Sequence, residues 1–124
     1  MANIACLLKN LKCDILCAPW RYEPHGDHEA AYLIARAAAR EAGAMLLSYL
    51  VWGWTLAPSA FLPDETIRGW RLNISQSLAL KRRAIAAHRS QYGNLIRDDP
   101  NGFRLPANLL DEVTRRPYEV FLQS

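Results

Sequence analysis

Cysteine is scarce in this chain, and its number is odd. The 124 residues include three cysteines and open with no signal-peptide pattern, so a secreted, disulfide-stapled fold is not expected. Cys13 and Cys17 fall on one face of a predicted strand, about 13 Å apart, which is too far for a bridge or a shared metal ion. We expect a reducing, cytoplasmic location in which both thiols are small core residues.

An excess of one charge is also lacking. The formal net charge is +3, and charged residues make up 22% of the chain, whereas nucleic-acid-binding proteins usually present a dense basic face. We therefore expect no nucleic-acid partner. The 51% hydrophobic content is typical of a folded globular chain, and residues 1–124 are predicted to form a single domain.

No apolar run is both long and continuous. Residues 42–63 carry no charged side chain and are numerous enough to span a bilayer. However, Gly43, Gly53 and Pro58 interrupt the run, which favours a buried strand followed by a loop. We expect no membrane span.

The N-terminal half alternates helix and strand. Asn3 can cap a first helix, in which Ile4, Leu7, Leu8 and Leu11 form one apolar stripe predicted to be buried. Asp14–Ala18 reads as a strand that ends at Pro19, and its lack of alternation indicates that both of its faces are covered.

A second helix is predicted over Glu29–Ala42, ended by Gly43, and a second strand over Met45–Trp52. A strand, helix and strand in this order form a unit with parallel strands, so the fold class is α/β. The helix is expected to turn Leu33, Ile34, Ala37 and Ala38 to the sheet and Glu29, Tyr32, Arg36 and Arg40 outward.

The C-terminal half is predicted to contain two strands and two helices, with irregular chain between Thr55 and Gly69. His88 is expected to face the core from the longer helix, which Ser75 or Ser77 could cap and Gly93 would close. The four elements are Trp70–Ile74, Leu78–Tyr92, Pro106–Arg116 and Tyr118–Leu122.

The densest group of chemically reactive side chains lies between Trp20 and His28, in the loop that joins the first strand to the second helix. Ligands bind at such loops in open α/β sheets. Two histidines and a carboxylate could form part of a catalytic zinc site, which needs three protein ligands. A structural turn with Asp27 as helix cap fits the same residues. Trp52 ends the next strand at the same edge, where it could line a pocket mouth or simply pack.

Four segments in this order resemble the LmbE/PIG-L family of zinc-dependent N-acetylglucosaminyl deacetylases. The resemblance runs from about Ile4 to Leu122 and covers the C-terminal portion of a typical member. The segments are Asp-Ile-Leu-Cys-Ala-Pro-Trp-Arg-x-Glu-x-His-x-Asp-His-Glu-Ala from Asp14, Trp-x-Trp from Trp52, the Lys-Arg-Arg…His-Arg-Ser-Gln helix, and Arg-Pro-Tyr-Glu-Val-Phe from Arg116.

The resemblance implies a role for each residue of the loop. His28 corresponds to a metal-binding histidine, and His25 to a histidine that stabilises the oxyanion or protonates the leaving amine. Asp27 would orient these rings, and Arg21 and Glu23 would position the substrate or the groups behind it. Trp52 is the residue that we assign to the substrate-binding wall.

The resemblance also implies a partial Rossmann-like parallel sheet with flanking helices that lacks the family's N-terminal strands. The family's first motif, His-Pro-Asp-Asp-Glu, supplies two further zinc ligands and the general base, and it does not occur in this chain. The family usually has proline where Gly26 stands. His88 lies in a segment that the family shares, but periodicity assigns it to packing.

Two functions are therefore expected. One is zinc-dependent hydrolysis of an N-acetyl amide on an amino sugar or related glycoconjugate, with a partner chain or further residues supplying the missing half of the site. The alternative is a non-catalytic remnant or interaction module that self-associates through an exposed sheet edge.

Overall fold

The computed structural model describes residues 2–57, 60, 67–92 and 104–123. The chain divides into two compact units, which are treated separately below. Unit 1 comprises Met1–Leu72 with Val120–Ser124, and unit 2 comprises Asn73–Glu119. The single domain expected from the chain length stays a prediction.

The strands form one four-stranded sheet in the order β1-β2-β4-β3. They are β1 (Ile15–Pro19), β2 (Met45–Tyr49), β3 (Gly69–Asn73) and β4 (Tyr118–Gln123). β1 and β2 run parallel, with Ile15 opposite Met45, while β4 runs antiparallel to β2, with Tyr49 opposite Phe121. The α/β class and the parallel pairing of β1 with β2 are confirmed. The antiparallel strand β4 departs from the predicted parallel sheet, because no helix crossover fixes its direction in the sequence.

Helix α1 (Ala2–Asn10) packs on helix α2 (Gly26–Ala42) through small residues. Ala5 is fully buried and Leu8 is 6% exposed, and both cluster with Ala38 of α2. Of the predicted buried stripe, only Leu8 is buried. The two helices meet at Ala5 and Ala38, where small side chains allow a close approach, so the larger residues of the stripe lie outside the contact. The remaining members of that stripe, Ile4, Leu7 and Leu11, are exposed.

Helix α2 covers the sheet with a face that differs from the predicted one. Tyr32, Ala35 and Ala39 are buried with Ala18 and Leu46 of the strands. Tyr32 was expected to point outward and is buried, whereas Leu33 and Ile34, expected in the core, are 55% and 41% exposed. Gly43 ends the helix as predicted. Its φ of 74° is a left-handed conformation that glycine adopts without strain, and its N–H donates to the Ala39 carbonyl.

Strand β1 is covered on one face only, so the expectation of two covered faces is wrong. Ala18 is buried under α2 with Leu16 packed beside it, whereas Ile15 and Cys17 are exposed. The expectation of two core thiols is correspondingly wrong for Cys17. Cys13 is half-buried beside the α1–α2 contact.

Unit 2 contains α3 (Leu78–Ala87), α4 (Arg89–Tyr92) and α5 (Ala107–Arg115). The Arg82 side chain donates to the Thr114 carbonyl at 2.8 Å, which links α3 to α5. The predicted helix over Leu78–Tyr92 is interrupted at His88, whose ψ of 64° is not helical. His88 is exposed, so its expected core position is wrong.

The remaining elements lie close to their predicted positions. β3, α5 and β4 begin and end within one residue of the predicted bounds. Gly93 and part of the irregular chain between Thr55 and Gly69 lie outside the described residues. Among the helices that the structure describes, none combines the length and apolarity needed to cross a membrane.

Candidate functional site

The loop after β1 is held by aromatic packing. The Trp20 N–H donates to the Tyr49 carbonyl at 2.9 Å, and the Trp20 indole is 6% exposed. The Tyr22 ring meets that indole edge-on at 5.2 Å between centroids. The Arg21 guanidinium lies 4.6 Å from the centroid of the Tyr22 ring, in cation–π range. These contacts fix the loop immediately before Glu23.

The Glu23 carboxylate is buried and accepts three backbone hydrogen bonds from a segment about 30 residues later. Oε1 accepts from the N–H groups of Val51 at 2.8 Å and Gly53 at 3.0 Å, and Oε2 accepts from that of Trp52 at 2.7 Å. The side chain has no exposed area. These N–H groups lie at the start of the 3₁₀ turn Trp52–Thr55, where unpaired amides and the positive end of a helical turn stabilise an anion.

His28 is bound to the same carboxylate. Its Nδ1 lies 3.2 Å from Glu23 Oε2, and its side chain is 23% exposed. Because Glu23 accepts, a neutral His28 ring that donates through Nδ1 keeps its lone pair on Nε2. A buried carboxylate that orients the ring in this way is the usual partner of a metal-binding histidine.

His25 stands beside His28, as the sequence predicted. The two ring centroids are 4.8 Å apart and the rings are tilted by 39°. His25 is the N-cap residue of α2, with extended backbone and no side-chain cap, and its carbonyl accepts from the N–H groups of His28 and Glu29. Its ring is left exposed to solvent.

Asp27 does not take the position that the sequence suggested. Helix α2 begins at Gly26, so Asp27 lies inside the first turn and does not cap the helix. Its side chain is exposed, and the carboxylate that contacts His28 is that of Glu23. The carboxylate next to the His28 ring is therefore that of Glu23 and not that of Asp27, where the sequence placed it.

An apolar cavity of about 350 Å³ lies next to this anchor. Trp20, Gly53 and Trp54 line it, while Trp52, the predicted wall residue, gives its backbone N–H to Glu23. The Trp-x-Trp motif indicated that an aromatic side chain lines the cavity. It did not show that this side chain is Trp54 and not Trp52. The other described lining residues are Leu50, Leu56, Ala57, Ala60, Ile67 and Leu122.

Gly53 is required by the close approach of the turn to the carboxylate. A Cβ at this position would lie 2.7 Å from Leu50 Cδ2, 3.0 Å from Glu23 Oε1 and 3.3 Å from Trp20 Cε3. Any side chain here would push the turn away from Glu23 and lengthen the three hydrogen bonds. The packing at Gly53 and the hydrogen bonds of Glu23 therefore depend on each other.

The implied zinc ion fits these residues only in part. Residues 2–57, 60, 67–92 and 104–123 contain no group of three or more histidine, cysteine, aspartate or glutamate side chains placed to hold a metal ion. A catalytic zinc site needs three protein ligands. His28 offers one oriented imidazole, His25 stands beside it, and Glu23 is occupied by backbone donors. The described residues alone do not complete a zinc site.

A scan against models of protein families and a search of curated proteins find no match for this chain.

Proposed function

We propose that this chain is a zinc-dependent N-deacetylase-like protein to which His28 contributes one metal ligand. The remaining ligands and the base would come from a partner chain or from residues outside the described ranges. The observation that carries the proposal is the contact between His28 Nδ1 and the buried Glu23 carboxylate, because a metal-binding histidine almost always donates its other ring N–H to a carboxylate, a backbone carbonyl or water. The parallel β1–α2–β2 unit would then be part of a Rossmann-like sheet.

The reaction is hydrolysis of an N-acetyl amide on an amino sugar or a related glycoconjugate. A bound zinc ion would supply polarisation of the amide carbonyl and a water of lowered pKa. Glu23 keeps the proton of His28 on Nδ1 and leaves Nε2 as the donor atom for the metal. His25, exposed beside His28, is placed to move a proton to the leaving nitrogen. Arg21 and the cavity wall at Trp54 would position the sugar and its substituent.

Zinc binding by the purified chain tests the proposal. Isothermal titration with zinc, and metal analysis after dialysis, should show binding that His28→Ala abolishes. His88→Ala is the matched control, because His88 is an exposed histidine in the other compact unit. Glu23→Gln should lower zinc affinity by about 10- to 100-fold, the range found for residues that orient metal ligands.

The proposal is contradicted if zinc binds neither to the purified chain nor to its mixture with a candidate partner chain, or if His88→Ala lowers binding as much as His28→Ala. If zinc binds as expected, release of acetate from N-acetylglucosamine derivatives should be measured with and without a candidate partner chain. Activity that appears only with the partner would assign the missing ligands to that chain.

A second candidate is an interaction module that uses the edge strand β1. Ile15 and Met45 lie opposite each other in the sheet and are 49% and 40% exposed, and Cys17 beside them is exposed. Apolar side chains along an edge strand favour pairing with another strand. Ile15→Lys should then abolish association while leaving zinc binding unchanged, and association that survives this substitution would contradict the candidate.

A further inference from the structure

The outward face of α2 combines a protruding leucine with an adjacent cleft. Leu33 is 55% exposed and its neighbour Ile34 is 41% exposed, so two large apolar side chains stand together in solvent. A cleft of about 660 Å³ is lined by Leu33, Arg36, Ala37, Arg40 and Glu41. The sheet-facing side of the same helix is formed by Tyr32, Ala35 and Ala39, so this outward face is not needed for the core.

Four of the cleft residues have the spacing of a helix-packing hole. Leu33, Arg36, Ala37 and Arg40 stand at i, i+3, i+4 and i+7, which is the set that surrounds a side chain inserted from a facing helix. Ala37 is small, so the hole is open at its centre. A leucine or isoleucine from another helix fits such a hole.

We propose that a second copy of this chain docks on α2, with Leu33 of each copy inserted into the hole of the other. A two-fold axis makes this possible, because one surface then supplies both the side chain and the hole. Leu33 fits the hole between Arg36 and Ala37 when the axis crosses α2 between Ile34 and Ala35. The two helices run antiparallel in this arrangement, so their dipoles also attract.

The charges on α2 match this register independently. The axis that seats Leu33 places Glu29 of one copy opposite Arg40 of the other, and symmetry produces the pair twice. Within the described part of the chain, Glu29, Arg36 and Arg40 have no ion-pair or hydrogen-bond partner for their side chains. Antiparallel docking brings Glu29 and Arg40 together at both ends of an apolar centre, whereas Arg36 of each copy lies beside Leu33 of the other. The proposal does not depend on zinc binding or on the β1 edge.

Sedimentation velocity and light scattering on the full chain, at concentrations up to several hundred micromolar, test the proposal. The wild-type mass should approach twice the 14.1 kDa of one chain, and Leu33→Glu should be monomeric. Leu7→Glu is the matched control, because Leu7 is 54% exposed on the neighbouring helix α1 and should leave the dimer intact. Ile15→Lys separates this surface from the β1 edge, because the α2 dimer should survive the substitution whereas association through β1 would be lost.

A charge exchange tests the register. Glu29→Arg and Arg40→Glu should each raise the dimer Kd about tenfold, because each reversal turns two attractive pairs into repulsive ones. The double exchange should restore the wild-type Kd, and circular dichroism would show that the helix content of all variants is equal. A monomeric wild type, a dimer that survives Leu33→Glu, or a double exchange without recovery would each overturn the proposal.

Discussion

The Glu23 carboxylate provides the sharpest test of the site. We consider Glu23→Gln, which keeps the shape of the side chain but replaces one acceptor oxygen with an NH₂ donor. One carboxylate oxygen accepts from Val51 and Gly53, and the other accepts from Trp52 and contacts His28. In either orientation the new NH₂ group faces at least one backbone N–H, so a buried donor loses its acceptor.

The expected cost follows from these contacts. Hydrogen bonds to a charged acceptor contribute about 1.5 to 3 kcal/mol each, and a buried donor left unpaired costs about 1 to 3 kcal/mol. The least harmful orientation turns the NH₂ toward Trp52 and His28, where the imidazole can change tautomer and accept. One unpaired N–H and the loss of charge remain, so we expect unfolding to become easier by about 2 to 4 kcal/mol.

Tryptophan fluorescence during urea unfolding measures this effect directly. All four tryptophans lie in unit 1, so their emission follows the unit that contains Glu23. The urea midpoint should fall while the slope of free energy against urea stays constant. In the wild type, the Glu23 carboxylate holds the proton of a neutral His28 ring on Nδ1. The ¹⁵N chemical shifts of the His28 ring in Glu23→Gln should show that this tautomer has changed.

Asp27→Asn is the control, since it removes an exposed carboxylate four residues away in the first turn of α2. It should cost less than about 1 kcal/mol, the usual range for a charge near a helix terminus. The reasoning is refuted if Glu23→Gln is as stable as wild type within about 0.5 kcal/mol, the usual size of a surface substitution, or if Asp27→Asn costs as much.

Two further predictions concern Gly53 and Glu112. Gly53→Ala places a Cβ 3.0 Å from Glu23 Oε1 and should cost about 1 to 3 kcal/mol by urea unfolding, whereas Gly26→Ala, with no atom within 4 Å, should cost nothing; equal effects would refute the packing argument. In unit 2, the hydrogen bond from Arg116 holds the pKa of Glu112 below its ordinary 4.5. This stabilisation is present above pH 4.5 and is lost as the pH falls through the lowered pKa, so Glu112→Gln should be less stable than wild type at neutral pH and equal to it in acid. Unfolding followed by NMR amide signals of α5 measures both, and a stability difference that does not change with pH would contradict the assignment.

Most helices and strands could be placed from local signals, although α1 already includes Asn3, β2 ends at Tyr49 and not at Trp52, and α3 ends at Ala87. Gly43 ends α2 where the sequence placed its end, and β1 and β2 occupy the two apolar runs on either side of that helix. The inward faces of the helices could not be predicted. In α2, alanines occur all round the helix, so Leu33 outweighed Ala35 in the periodicity, although small side chains are what close packing on a sheet requires.

The sequence could predict which loop brings the two histidines together, but not the contacts that hold this loop in place. His25 and His28 were found because they are neighbours in sequence, and the structure brings their rings together. The sequence predicts that Glu23 positions other groups, but it does not identify those groups. They are the backbone N–H groups of Val51, Trp52 and Gly53. No local pattern reports a contact across that separation. The glycine of Trp-x-Trp was the signal that could have indicated a close approach.

The hydrogen bonds of Glu23 also determine which sequence changes the chain tolerates. An apolar substitution at position 23 leaves three backbone N–H groups without an acceptor, and a larger residue at position 53 moves those groups away from the carboxylate. The effects of changes at the two positions are therefore not additive. An acceptable replacement for Glu23 has to appear together with a rebuilt turn at residues 51–53, so the two segments can diverge only as a pair.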